Sequence, residues 1–242
     1  MSLRTRLFIE HLFTEGENIN LNEEQSHYLS NVLRCKTHEL LRIFNGKDGE
    51  WEATIIGISK KHVIINLVKQ LASQLNQAPL HFAFCPVKNV TPSFVVQKAT
   101  ELGVTEIWPI TSRRTVINKI NLEKLIKSAI EAAEQSERLC IPKIHPMQNL
   151  ADFVKCKPFD GNLMFCYEKA DPLGVQTLKS KLKQTENCIL IGSEGGFSSE
   201  EADLIRSLDY AVAVNFGRRI MRAETAGIAA ISCYNTLMDN WK

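Results

Sequence analysis

An α/β domain with a largely parallel sheet, preceded by a small β-barrel, is the architecture that this sequence predicts. Three observations predict it. Residues up to about Gln70 run in short β-like stretches divided by turn signals. Beyond Pro79, strands of roughly four to seven residues alternate with helices of roughly ten or more, the rhythm of strand–helix–strand units. Between the two lies KQLASQLNQAP, Lys69 to Pro79, a polar stretch of weak periodicity that ends in proline and reads as a linker. The predicted domains are residues 1–72 and 73–242, and a chain of 242 residues is long enough to give each a core.

In the first domain the strand candidates are TRLFIE, ELLRIF, WEATIIGI and HVIINLV, with a turn at NGKDG, Asn45 to Gly49. One helix interrupts them, opening at Asn22 and carrying Leu29, Val32 and Leu33 on one side. In the second domain LHFAFC is followed by PSFVVQKATEL, where Pro92 suits a first helical turn, Val95, Ala99 and Leu102 share a face, and Gly103 stops the helix. VTEIWPI is the next strand. A helix capped by Asn121 runs through LEKLIKSAIEAAEQSER, and a short extended segment follows at Ile141 to Ile144. NLMFCY, NCILIG, a helix from about Ser199, AVAVNF and a closing helix from about Glu224 to Met238 complete the scheme.

Composition excludes several classes. The net charge is +2, so any nucleic-acid surface must be local rather than global. The seven cysteines lack C-x-x-C spacing and lie mostly in apolar runs, which predicts free thiols in a reducing cytoplasm. The six histidines show no paired ligand spacing, so no metal site is expected. The start, MSLRTRLFIEHLF, lacks a signal-peptide core, and no run reaches the roughly 18 apolar residues of a membrane span. A soluble cytoplasmic protein is expected.

Ligands of open parallel sheets sit beyond the carboxyl ends of the strands. Three such ends cluster late in the chain: FCYEKA at Phe165 to Ala170, IGSEGGF at Ile191 to Phe197, and NFGRRIMRAETAG at Asn215 to Gly227. The middle one lacks the Gly-Lys-Ser/Thr ending of a P-loop and the full G-x-G-x-x-G of a dinucleotide site, and Glu194 would repel a phosphate. Its ligand is expected to be neutral or cationic there. Ser198 and Glu201 form a capping box, so part of the string only starts a helix. In the last segment Arg218, Arg219 and Arg222 immediately precede a helix whose first turn holds Glu224. Cations at a helix start oppose the dipole and ask for an anionic partner; alternatively Arg222 pairs with Glu224 or Glu194 and the other two are solvated.

In this order and spacing, VVQKATELGV, EAAEQSER, IGSEGGFSSEE and FGRRIMRAETA resemble the bacterial family that methylates N3 of a uridine in 16S ribosomal RNA, within the SPOUT superfamily. The resemblance covers nearly the whole chain: RLF at Arg6 to Phe8, HYLSNVLR at His27 to Arg34 and IFNGKDGEWEATI resemble the PUA-like domain of that family. It implies a PUA-like β-barrel at 1–72, a trefoil-knotted methyltransferase domain at 73–242, S-adenosylmethionine as cofactor, a homodimer, and 16S rRNA of the small ribosomal subunit as partner, with no membrane and no metal. It further implies cofactor contacts from Tyr167, Glu168, Ile191, Gly192, Glu194, Gly195, Gly196, Phe216, Gly217, Ile220, Met221, Arg222 and Thr225. In that setting Gly192, Gly195 and Gly196 let the backbone approach the adenosine and Glu194 is compatible with the sulfonium cation.

Uracil N3 carries a hydrogen between two carbonyls and is nucleophilic only once that proton is lost. Arg222 is therefore the expected catalytic residue, stabilising the developing anion, while Glu224 anchors it or caps the helix. The sequence offers no evident general base. For RNA the candidates are Arg6, Arg34 and Lys36, then Lys88, Arg113, Arg114 and Lys119. Phe8 could stack on a base but sits in a strand-like run. The alanine- and glycine-rich closing helix, with Ala226, Gly227, Ala229 and Ala230, suits core packing or a dimer interface. Other readings stay open: a related enzyme acting on a ribose hydroxyl or on transfer RNA, or a non-catalytic RNA-binding assembly factor. Ser193 in place of the family's proline, CKTHEL at Cys35 to Leu40 and KNVTPS at Lys88 to Ser93 depart from the family pattern; Ser193 is expected to loosen its turn.

Overall fold

The computed structural model describes residues 5–59, 61–173, 175–183 and 186–241. The chain divides into two compact units, 1–76 with 133–141, and 77–132 with 142–242.

In the first unit β1 (Arg6–Phe8), β2 (Asn18–Asn20), β3 (Leu40–Phe44), β4 (Glu50–Ile58) and β5 (Val63–Ala72) form a five-stranded sheet in the order β1-β3-β4-β5-β2. β1 joins β3 in parallel and the remaining pairs are antiparallel. Register irregularities along β4 and β5 bend this long pair. Strand alternation turns Leu41, Ile43, Ala53, Ile55, Val63, Ile65 and Leu67 into one core with Leu7 and Leu29. β5 runs on to Ala72, opposite Glu50, so Lys69–Ala72 of the expected linker is strand. Those four residues are exposed, which is why their composition reads as linker.

Helix α1 (Glu23–His27) opens as expected at Asn22, whose Oδ1 accepts the Gln25 N–H at 2.8 Å. It continues as a wide π-helical turn over Tyr28–Val32. The wider turn breaks the expected face: Leu29 is fully buried while Val32 and Leu33 are exposed.

The second unit is an all-parallel sheet. Its strands are β6 (Leu80–Phe84), β7 (Glu106–Thr111), β8 (Lys143–Ile144), β9 (Gln148–Asn149), β10 (Leu163–Cys166), β11 (Asn187–Ile191) and β12 (Ala211–Val214). Their order is β12-β10-β11-β6-β7-β8, with β9 also on β7. The helices are α2 (Pro92–Glu101), α3 (Leu122–Gln135), α4 (Leu150–Cys156), α5 (Val175–Lys181), α6 (Ser199–Arg206) and α7 (Ala223–Met238). β6 and β11 are buried along their whole length, as central strands covered on both faces must be.

In α2 the buried face is Val96, Ala99 and Thr100 rather than Val95, Ala99 and Leu102. Thr100 enters the core by donating its hydroxyl to the Val96 carbonyl at 2.8 Å. The Ser198–Glu201 capping box of α6 is formed in both directions. α7 packs on α2, α5 and β11, and a Cβ at Gly227 would stand 3.1 Å from the ring of Phe82. All seven cysteines are free thiols; Cys85 and Cys188 are buried and Cys156 is exposed. Among the described residues no helix is long and apolar enough to cross a membrane.

Candidate active site

Sheet order explains why the three late loops meet. β12, β10 and β11 are neighbours and parallel, so the segments leaving their carboxyl ends emerge side by side. The loops after β6 and then β7 follow on the β11 side. A cavity of about 570 Å³ opens there, within the second unit.

The first loop contributes Tyr167 and Glu168 to its lining, the second Ile191, Gly192, Glu194, Gly195 and Gly196, and the third Phe216, Gly217, Ile220, Met221 and Arg222. Thr225 does not line it: helical phase in α7 turns Ala223 and Ala226 to the cavity and leaves Thr225 exposed.

Asn215 ties the loops together. Its Nδ2 donates to the carbonyls of Glu168, at 2.7 Å, and Ala170, at 3.1 Å, while its Oδ1 accepts the Gly217 N–H at 2.7 Å. Gly217 takes φ +97°, a conformation that L side chains rarely adopt. Beyond this turn the backbone N–H groups of Arg218 to Arg222 have no acceptor among the described residues. Those unpaired donors suit a planar, acceptor-rich group.

The middle loop is held from outside. Arg114 donates from Nη1 to the Gly195 carbonyl at 2.6 Å, and Asn89 donates from Nδ2 to Glu194 Oε1 at 3.3 Å. Ser193 does not loosen the turn. It is buried, with its hydroxyl 3.2 Å from the Arg114 carbonyl and 3.4 Å from that of Gly196. Gly192 is small for an internal reason: a Cβ there would lie 2.7 Å from the Phe197 ring. Gly195 likewise faces the Arg114 side chain, where a Cβ would come within 3.3 Å.

Arg222 is the N-cap residue of α7 and its side chain makes no capping bond. It is exposed, lines the cavity, and has no ion pair with Glu194 or Glu224 among the described residues. The neutralising pairs that the sequence left open are therefore not made. Arg218 and Arg219 are also exposed. Burial, and then the neighbouring Cys233, push the Cys166 thiol well above the ordinary range, so this cavity-lining group stays protonated and non-nucleophilic.

Among the RNA candidates, Arg6 is a correction. It is 5 % exposed; Nε donates to Glu50 at 2.6 Å, Nη1 and Nη2 donate to the Ala133 and Arg138 carbonyls at 2.7 Å each, and the guanidinium lies 3.8 Å from the Phe44 ring. An arginine with every face used cannot also meet a phosphate; it is the pin that draws 133–141 into the first unit. Arg34 is exposed with φ +55°, and Lys36, Lys88 and Lys119 are exposed. Arg113 is exposed and paired with Glu200 at 2.9 Å. Asn89, Ser193 and Asn215 were missed as site residues. Asn215 carried a signal, since Asn two residues before Gly favours a side-chain-closed turn. No group of three His, Cys, Asp or Glu among the described residues could hold a metal.

Residues 74–235 match the family model described as an RNA methyltransferase domain, and residues 21–68 match an RNA methyltransferase PUA domain. Ribosomal RNA small subunit methyltransferase E of Rickettsia conorii is 35% identical over 94% of this chain and 93% of its own. The protein of the same name from Buchnera aphidicola (subsp. Acyrthosiphon pisum) is 32% identical over 98% and 95%. A Legionella pneumophila structure solved in complex with the bound cofactor SAM superposes with a TM-score of 0.84 at 28% identity, covering 96% of this chain and 98% of that one. With residues 74–235 matching the RNA methyltransferase domain and 94% of the chain aligned at 35% identity, the chain belongs to the ribosomal RNA small subunit methyltransferase E family of RNA methyltransferases.

Proposed function

We propose that this chain transfers a methyl group from S-adenosylmethionine to N3 of a uridine in the 16S rRNA of the small ribosomal subunit. The observation that carries the reading is the juxtaposition, at one cavity, of backbone donors at Arg219 to Arg222 and a guanidinium at Arg222 that have no partner among the described residues.

The residues present fit the donor. A volume of about 570 Å³ is in the range of small-molecule sites. Ile191, Phe197, Val214 and Met221 give it an apolar side for a nucleoside, and Glu168 gives it a carboxylate for a cation. S-adenosylmethionine, when bound, supplies a methyl group made electrophilic by its sulfonium. The chain's own work is to hold the acceptor and stabilise charge. Arg222, permanently cationic and able to fork onto a carbonyl oxygen, compensates the negative charge that appears on uracil as N3 loses its proton.

Two structural expectations belong to the same reading. The last strand, β12, lies at the sheet edge while α7 returns to β11 and α2, an order that a threaded, knotted chain would produce. The surface where α2 meets α7, with Phe94 exposed and Val95 and Ile228 half-buried, suits a second copy of the chain. The PUA-like first unit, with exposed Arg34 and Lys36, supplies RNA contact in the cytoplasm. The test is methylation of small subunits from cells lacking this protein, followed by nucleoside analysis. N3-methyluridine is expected; a ribose methylation or no product would overturn the reading.

A further inference from the structure

We propose that Glu194, oriented by Asn89, is the general base that removes the N3 proton. The inference deepens the reading above and rests on it. Arg222 stabilises the uracil anion but is always protonated and cannot take a proton. The acceptor has to be found elsewhere in the cavity.

Most candidates there are unsuitable. Burial keeps the Cys166 thiol protonated, and the amide of Asn215 is committed to Glu168, Ala170 and Gly217. Two carboxylates remain, Glu168 and Glu194, and sheet order separates their tasks. Glu168 leaves β10, which lies between β12 and β11, and its Oε1 would be 3.7 Å from a Cβ at Gly196. It is exposed like Glu194, but it stands on the β10 side of the cavity, away from the loops after β6 and β7. Glu194 follows β11, on the side of the loops after β6 and β7, where Lys88, Arg113 and Arg114 present exposed positive charge. A polyanionic acceptor approaches from that side. Glu194 is exposed to it, and Asn89 donates to only one of its oxygens, Oε1, at 3.3 Å. Oε2 has no partner among the described residues.

The pattern also matches the acceptor. The uracil edge reads carbonyl, N–H, carbonyl. Among the residues lining the cavity, Asn89, Glu194 and Arg222 supply complementary groups, an amide N–H, a carboxylate and a guanidinium. Cytosine presents an amino group and a bare ring nitrogen at the corresponding positions, so it would face a donor with a donor and a carboxylate with a lone pair. In the step, the N3–H bond breaks and leaves its electron pair on the ring as an O–H bond forms on Glu194. N3 then bonds to the methyl carbon as the carbon–sulfur bond breaks towards sulfur, giving a neutral thioether. Glu194 afterwards returns its proton to water.

The test uses the full chain, S-adenosylmethionine and small subunits lacking the modification. Single-turnover rates are measured against pH, with donor affinity by calorimetry, for the wild type, Glu194→Gln, Asn89→Ala and Glu168→Gln. The charged and titratable groups about Glu194 are Cys166, Tyr167 and Glu168 of the first loop, Arg114 and Lys88 from the β7 and β6 sides, and Arg219 and Arg222 of the third. Glu194→Gln should slow transfer at pH 7 by on the order of 100-fold or more. It should leave the donor Kd within about threefold and regain rate about tenfold per pH unit as hydroxide replaces the lost base. Asn89→Ala should show a milder form of the same profile, and Glu168→Gln should weaken donor binding instead. Near-normal turnover in Glu194→Gln, a loss without recovery at high pH, or a loss confined to donor affinity each overturns the assignment. A wild-type product other than N3-methyluridine would overturn the underlying reading and this one with it.

Discussion

The side chain of Asn215 donates a 2.7 Å hydrogen bond to the main-chain carbonyl of Glu168, joining the loop after β12 to the loop after β10. The same amide accepts the Gly217 N–H and so sets the turn from which the unpaired donors of Arg218 to Arg222 project. One side chain thus fixes two walls of the cavity. Asn215→Ala should weaken S-adenosylmethionine binding by roughly 5- to 50-fold, the loss of one to two such bonds. Asn215→Asp should bind more weakly still, because it points an anion at two carbonyl oxygens. Calorimetry with the donor alone decides this; unchanged affinity in Asn215→Ala would mean that the loops are held by packing.

Arg222 stands at the N-cap of a 16-residue helix, where its charge opposes the helix dipole, and among the described residues it makes no ion pair with Glu224 of the first turn. That local cost is expected of a group whose partner arrives with the substrate. Arg222→Ala should lower the rate of methyl transfer by about 10²–10³-fold, the range for loss of one charge-stabilising donor, while donor binding persists. Arg222→Lys should recover only part of it, since an ammonium does not fork. Near-normal turnover in Arg222→Ala removes its assigned role.

Arg6 and Arg34 should separate cleanly in experiment although they read alike as sequence. Arg6→Ala leaves Glu50 with only its longer 3.6 Å contact to Arg42 and takes a donor from each of the Ala133 and Arg138 carbonyls, so it should destabilise the first unit by about 3 kcal/mol. Denaturant unfolding measures that loss. Arg34→Ala should leave stability unchanged and reduce the slope of log affinity against log salt for RNA by about one. A salt slope equally sensitive to both residues would contradict the burial of Arg6.

The difference between those two arginines marks what the sequence could and could not convey. Period-two alternation in ELLRIF and WEATIIGI, the capping box at Ser198 and Glu201, and the rhythm of strand and helix after Pro79 are local signals, and β3, β4, α6 and the parallel sheet follow them. The cavity loops were legible because strand ends in a parallel sheet have one place to put a ligand. Segments α4 and α5 were not, since seven residues are too few to establish a helical period. Arg6 was misread for a different reason: its partners are Glu50 and the carbonyls of residues 133 and 138, far along the chain. The offset between Val95 and Val96 on α2, and the holding of Glu194 by Asn89, depend on the same kind of distant contact.

His145 provides a pH signature for the second unit. Its ring stacks on Trp108, with centroids 3.3 Å apart, and bonds to Glu106. Burial holds its pKa below the ordinary 6.5, with the attraction of Glu106 opposing that shift only in part. A histidine harder to protonate when folded binds fewer protons in the native state than in the unfolded one, so stability rises with pH through this group. Its contribution is present above about pH 6.5, the unfolded value, and is lost as pH falls from there through the lower folded value. Thermal melts should therefore show a falling Tm between pH 7 and 5, and His145→Gln, which keeps a hydrogen-bonding group without titrating, should flatten that segment of the curve. A His145→Gln profile parallel to the wild type over this range would place the acid sensitivity in other groups.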